Sequence, residues 1–213
     1  MGPKFFNIPV SVGNVTLRVA KGHFATRNSH TNYFIDVTEQ QSSLQKAEAV
    51  ARQLAQQDLI RNMTVDTILC LDGTRVIGTC LAQQLTQAGS HSINAGKDIY
   101  LLRENVNRDG KLIFRENARF MLAGKNVLLL LASVTTGSTV RKGIRCVEYY
   151  QGKVAGAASI YSHVKEVDGM PIMSLFNTND LPDYASHRPD ECPLCKAGEP
   201  LDAVIDKFGY AAL

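Results

Sequence analysis

The sequence predicts an α/β fold: a mostly parallel, Rossmann-like sheet flanked by helices, with a small N-terminal flap. Three observations carry this. Short apolar runs at residues 65–71, 98–102, 126–132, 154–160 and 172–176 read as buried strands. Helical patterns separate them along much of the chain, and strands that alternate with helices form a parallel sheet covered on both faces. Residues 3–37 differ: they are rich in Val, Phe, Tyr and Thr, with breaks at Gly13 and Gly22.

Taken in order, residues 3–37 read as two or three short strands. Val15-Thr16-Leu17-Arg18-Val19 alternates, as in a strand with one face on water. Ser42 precedes Gln45 at capping-box spacing, and Leu44, Ala47, Ala51 and Leu54 then repeat at helical intervals, with the end expected near Leu59. The buried strand 65–71 leads into a turn at Asp72, Gly73, Thr74 and Arg75, then a helix over 76–88 stopped by Gly89. The strand 98–102 precedes a polar segment, 103–117, with a turn signal at Asp109-Gly110. It is a long loop or a hairpin with residues 111–114 as one arm. The strand 126–132 is followed by a helix to about Tyr150, then by the strands 154–160 and 172–176. The tail is loop-like until a short final helix at 203–208. The expected division is a flap over 1–40, a core over 41–178 and a tail over 179–213 packed on the core.

Composition narrows the function. With 213 residues, 45% hydrophobic content and a net charge of +3, the chain suits a globular protein. No basic run points to direct nucleic-acid binding, and no apolar stretch reaches membrane-span length. The first ten residues lack a basic region followed by a long apolar run, so no secretory leader is expected. The cysteines at 70, 80, 146, 192 and 195 are odd in number and widely spaced, which argues for reduced thiols in a cytoplasmic protein. Cys70, Cys80 and Cys146 sit in apolar patterns as buried small hydrophobes.

The chemistry concentrates where the strand 126–132 ends. Thr135, Thr136, Gly137, Ser138 and Thr139 form a tight turn into a helix. Such a turn aims backbone N–H groups and the positive end of the helix dipole at one spot, which suits a phosphate dianion. The competing reading is that Ser138 or Thr139 only caps the helix. Ligands of parallel sheets bind beyond the carboxyl ends of the strands. The turns 72–75, 103–111 and 133–139 should therefore cluster.

These stretches resemble the type I phosphoribosyltransferases. The Leu-rich strand with Thr135 to Thr139 is similar to their phosphoribosyl-pyrophosphate loop. Lys21-Gly22-His23-Phe24 with Tyr33-Phe34, the turn at Asp72 to Arg75, and Arg103 followed by Asp109-Gly110 resemble, in order, the flap, pyrophosphate loop and catalytic loop of the orotate branch. The resemblance implies the type I phosphoribosyltransferase fold and a phosphorylated ribose as ligand. It implies 5′-phosphate binding by Thr135, Thr136, Gly137, Ser138 and Thr139, and pyrophosphate binding by Asp72, Gly73, Thr74 and Arg75. It assigns catalytic-loop roles to Arg103 and Asp109, the former acting across a homodimer, and a phosphate contact to Lys21. Mg²⁺ would accompany phosphoribosyl pyrophosphate. The chain also departs from the family. Leu131 and Ala132 stand where the family has two acids that hold the ribose hydroxyls. Each lost charged hydrogen bond costs about 1.5–3 kcal/mol. Asn107 and Asp109 replace a lysine and a histidine of the loop. Low orotate activity, or a ligand-sensing role without catalysis, is the corresponding expectation.

Cys192-Pro193-Leu194-Cys195 has metal-ligand spacing, with His187 nearby. A structural zinc needs four ligands, and His163 or Asp190 could complete the set. A redox pair, or two thiols that pin the tail, are the alternatives, and the plain thiol pair is preferred. His23 and His30 read as polar flap or surface residues, and Tyr149-Tyr150 as packing.

Overall fold

The computed structural model describes residues 3–27, 29–87, 91–206 and 209–213. The chain begins with three antiparallel strands: β1 (Phe5–Val12), β2 (Val15–Ala25) and β3 (His30–Asp36). In β2, Val15, Leu17 and Val19 are buried while Thr16 and Arg18 are exposed, as the alternation predicts.

The second sheet follows from the apolar runs. Its strands are β4 (Thr67–Cys70), β5 (Tyr100–Arg103), β6 (Asn126–Val134), β7 (Lys153–Ser162), β8 (Glu166–Val167) and β9 (Met170–Asn177). Their order is β5-β4-β6-β7-β9-β8, parallel except for β8. The alternating leucines of β6 are buried on both faces. Leu128 and Leu130 pack in one core with Val50, Leu54, Ile77 and Leu81. Val127, Leu129 and Leu131 pack in another with Val140 and Val147. Each buried leucine contributes about 1.5–3 kcal/mol.

Helices α1 (Thr38–Ser42), α2 (Leu44–Ala55), α3 (Asp58–Arg61), α4 (Arg75–Thr86) and α5 (Ser138–Tyr149) supply the cover. The expected capping box at Ser42 is not used. The chain breaks at Ser43, whose side chain makes no capping hydrogen bond, and α2 starts at Leu44. The predicted continuation to Leu59 divides at residues 56–57, with α3 taking up the rest. The predicted helix end at Ala88-Gly89 lies outside the described residues.

The tail corrects a second expectation. The predicted helix at 203–208 is instead β11 (Ala203–Asp206), paired parallel with β2 and antiparallel with β12 (Gly209–Ala212); Phe208 lies outside the described residues. So short a segment is a poor isolated helix, and β12 together with the edge of β2 satisfies its backbone. Before it come β10 (Ser186–His187), paired with β3, and the short helix α6 (Pro193–Lys196). The tail thus builds onto the N-terminal sheet.

Cys70, Cys80 and Cys146 are buried free thiols. Burial pushes Cys70 up to about 12 and Cys146 up to about 11, so both stay protonated at neutral pH. Among the described residues, no helix is long and apolar enough to cross a membrane.

Two outcomes follow from this packing. Leu129→Ala empties a fully buried site between β6 and α5. It should cost about 2–5 kcal/mol in urea unfolding. Asp66 ties the start of β4 to β6, accepting the backbone and side-chain N–H groups of Asn126, both at 2.8 Å. The backbone bond, with the side-chain bond and the nearby Lys125 and Lys97, holds its carboxyl below the usual range against the opposing effect of burial. A carboxyl lowered by folding contributes stability above its unfolded value and loses it as pH falls through its folded value. Wild type should therefore exceed Asp66→Asn in urea midpoint at neutral pH. The gap should close as pH falls through and below about 4; a gap independent of pH contradicts the assignment.

Candidate functional site

The strand order places a topological switch at β4. The chain moves from β4 outward to β5, then returns to the other side of β4 as β6 and continues through β7 and β9. At such a switch the loops beyond the carboxyl ends of neighbouring strands diverge and leave a crevice. The turns after β4 and β6 face each other there.

After β6 the backbone runs through Thr135 and Thr136 into Gly137, which has φ 74° and stands directly before α5. A side chain is excluded at Gly137 twice over, by that φ and by Val167 of β8, whose Cγ2 would lie 2.5 Å from an added Cβ. Among the described residues, no side chain caps α5. The helix-capping reading of Ser138 and Thr139 is thereby set aside, and the first N–H groups of the helix are left without side-chain partners. Arg141 holds the turn from behind: its guanidinium donates to the Thr136 carbonyl at 3.1 Å and to Asp168 Oδ1 at 3.0 Å. Residues Leu131 and Ser133 to Val140 enclose a small recess of about 50 Å³.

After β4, Asp72 (φ 49°) and Gly73 (φ 80°) turn the chain into α4. The Gln41 side chain donates to the Asp72 carbonyl and ties the turn to α1. Thr74 is fully buried, and its hydroxyl donates to the carbonyls of Leu71 and Leu130 at 2.8 and 3.0 Å. That side chain braces β4 against β6, while Asp72 faces the crevice. Arg75 is exposed at the start of α4.

A cavity of about 330 Å³ joins these turns to the N-terminal sheet. Asp72, Ala132, Ser133, Thr135 and Thr139 line it from the core, and Arg27, Tyr33, Tyr184, Ile205 and Asp206 from the opposite side. Burial, with Tyr161 beside it, pushes the Tyr184 phenol up, so it stays protonated. Of the pair that departs from the family pattern, Leu131 is buried in the core under α5 and Ala132 borders the cavity.

The catalytic-loop candidates stand apart. Arg103 ends β5 in an exposed position, and neither it nor Asp109 is among the described residues that line the cavity. Asp109 sits in the turn of a small hairpin closed by a bridge from Val106 to Leu112. Its turn is built by Asn107 Oδ1, which accepts from the N–H groups of Asp109 and Lys111. Phe114 packs edge-on to Tyr150, whose hydroxyl also bonds the Phe114 backbone, so Tyr150 is a packing residue. Lys21 lies 5.6 Å from the Tyr33 ring.

Cys192 and Cys195 do come together with histidines, but these are His23 and His30. The expected His187 is outside that cluster. His163 packs on Tyr184 and Asp190 pairs with Arg188, so neither completes a set with the cysteines. His23, expected at the surface, is 2% exposed. Arg27, Tyr184 and Asp206 carried no local motif, and only the approach of the tail to the N-terminal sheet brings them to one cavity.

No family model matches the chain. An orotate phosphoribosyltransferase of Thermus thermophilus is 30% identical over 189 residues, which covers 86% of this chain and 92% of that protein. One from Caldicellulosiruptor saccharolyticus is 26% identical over 184 residues, covering 85% and 86% respectively. Among solved structures, an orotate phosphoribosyltransferase of Mycobacterium tuberculosis aligns with a TM-score of 0.52 at 16% identity, over 78% of this chain and 92% of that one. That likeness speaks to the fold, and the Thermus likeness, sustained over 86% of the chain, to descent. The chain belongs to the orotate phosphoribosyltransferase family, a branch of the type I phosphoribosyltransferases.

Proposed function

We propose that the chain binds phosphoribosyl pyrophosphate, or the 5′-phosphate of a nucleotide, and transfers the phosphoribosyl group to a nitrogenous base with release of pyrophosphate. One observation carries the reading: Thr135 and Thr139, on either side of the Gly137 turn, border the same cavity as Asp72 at the switch point. The N–H groups of the first turn of α5, with the hydroxyls of Thr135, Thr136, Ser138 and Thr139, would hold the 5′-phosphate. The backbone of the turn 72–75 would receive the pyrophosphate from Asp72 onward, while Arg75, exposed at the start of α4, is not among the described residues that line the cavity. As the C1–O bond to pyrophosphate breaks and the C1–N bond forms, positive charge develops on the ribose ring. Asp72 is the carboxylate suited to face it, in place of the acids lost at Leu131 and Ala132. Arg27 on the opposite wall suits an acceptor with negative charge, such as the orotate for which the relatives are named.

Mg²⁺ would be held mainly by the substrate's phosphates. Bound there it neutralises charge on pyrophosphate. Arg103 and Asp109, remote from their own cavity, are assigned to the cavity of a second copy in a homodimer. A second reading, a ligand-sensing protein without catalysis, rests on the departures at Leu131, Ala132, Asn107 and Asp109.

A pyrophosphate-release assay with phosphoribosyl pyrophosphate, Mg²⁺ and a panel of bases headed by orotate separates the two. Release with one base is expected, and Asp72→Asn should lower its rate about 10²-fold with the thermal midpoint unchanged. A thermal shift with phosphoribosyl pyrophosphate but no release from any base would leave the second reading in place; no shift would defeat both. Mixing Arg103→Ala chains with Asp72→Asn chains should restore measurable release, because a hybrid dimer contains one intact composite cavity. If mixed and unmixed variants are equally inactive, Arg103 does not act across an interface.

A further inference from the structure

We infer that His23, His30, Cys192 and Cys195 form a structural zinc site that staples the tail to the N-terminal sheet. The ligand atoms His23 Nε2, His30 Nδ1 and both Sγ atoms lie within 4.8 Å of one another. The two nitrogens are 3.2 Å apart, each sulfur is 3.5 Å from His23 Nε2, and Cys195 Sγ is 3.2 Å from His30 Nδ1. Tetrahedral zinc with its usual Zn–N and Zn–S bonds requires N–N edges of about 3.3 Å and N–S edges of about 3.5 Å. Four of the six edges of the coordination polyhedron are thus close to these lengths, and the other two lie within 4.8 Å.

Hydrogen bonding alone does not account for this packing. His23 Nε2 has three neighbours, His30 Nδ1 and the two sulfurs, and a single ring nitrogen offers one lone pair or one proton. Its other nitrogen settles which: Nδ1 lies 3.0 Å from the Glu199 carbonyl, an acceptor, so Nδ1 carries the proton and Nε2 presents its lone pair. This is the outer contact that orients a metal-bound imidazole. Two thiolates and two imidazoles make a closed Cys₂His₂ set, the donor chemistry and count of a structural zinc site.

The local fold supports the same arrangement. The hairpin of β2 and β3 contributes both histidines, and α6 with the residue before it contributes both cysteines. The tail is held in register beside them: the His23 N–H donates to Asp202 Oδ2 at 2.7 Å, and the Asp202 N–H to the His23 carbonyl at 2.8 Å. Gly22 permits that approach, since a Cβ there would stand 2.4 Å from Asp202 Oδ2. The metal thereby bridges ligands 169 residues apart in the chain, a constraint on the fold supplied by coordination.

The full chain, purified under reducing conditions without added metal, should contain equimolar zinc by mass spectrometry, and a strong chelator should lower its thermal midpoint. Metal-free protein titrated with Co²⁺ should develop thiolate charge-transfer and tetrahedral ligand-field bands, which Zn²⁺ then abolishes. His187→Ala should retain these bands; His30→Ala and Cys192→Ser should lose or weaken them. Wild-type protein that lacks zinc and gives no cobalt bands overturns the site, as does iron in place of zinc, or an unchanged cobalt spectrum in His30→Ala. The wild-type cobalt spectrum decides the matter even if a variant does not fold.

Discussion

The burial of β6 on both faces is the constraint on which the rest depends. Leu128, Leu129, Leu130 and Leu131 are each fully buried. A strand with no wet face can place polar groups only at its ends. The hydroxyls of this segment therefore gather at its carboxyl end, from Ser133 onward, and Gly137 lets the backbone turn there without a side chain. Thr74 and Asp66 serve the same strand from β4, one bracing its carboxyl end and the other its start.

This constraint also clarifies the departure from the family pattern. Position 131 lies in the apolar core beneath α5, where an unpaired carboxylate would be costly to bury. Position 132 borders the cavity, so its alanine is the substitution that changes the electrostatics of the crevice. Asp72 stands across the switch point on a different strand end, held in a left-handed conformation by the turn. The carboxylate residues that border the crevice are thus Asp72, after β4, and Asp206 of β11.

The tail and the N-terminal hairpin form one unit opposite the sheet. Phe24 and Ala203 share a small apolar cluster with Phe34, and the tail backbone is hydrogen bonded to β2. Arg27 and Asp206 reach the cavity through this unit. The four His and Cys ligand atoms sit at its junction. The wall of the cavity and its attachment are therefore a single problem in packing, separate from the phosphate turn.

The sequence by itself determined the mostly parallel sheet, most of its strands and helices in chain order, and the tight glycine turn before α5. Each depends on local information: runs of apolar residues, helical spacing, and a glycine before a helix. Asp72 was legible as a turn residue for the same reason. What only the tertiary structure decided is which distant residues meet. His187 is close to the cysteines in sequence but absent from their cluster, whereas His23 and His30 reach it because β11 pairs with β2. The final strand itself is a tertiary product: the free edge of β2 overrides a helical pattern too short to stand alone. Spacing along a chain constrains neighbours within a turn or a hairpin, and contacts between its two ends depend on how the intervening core folds.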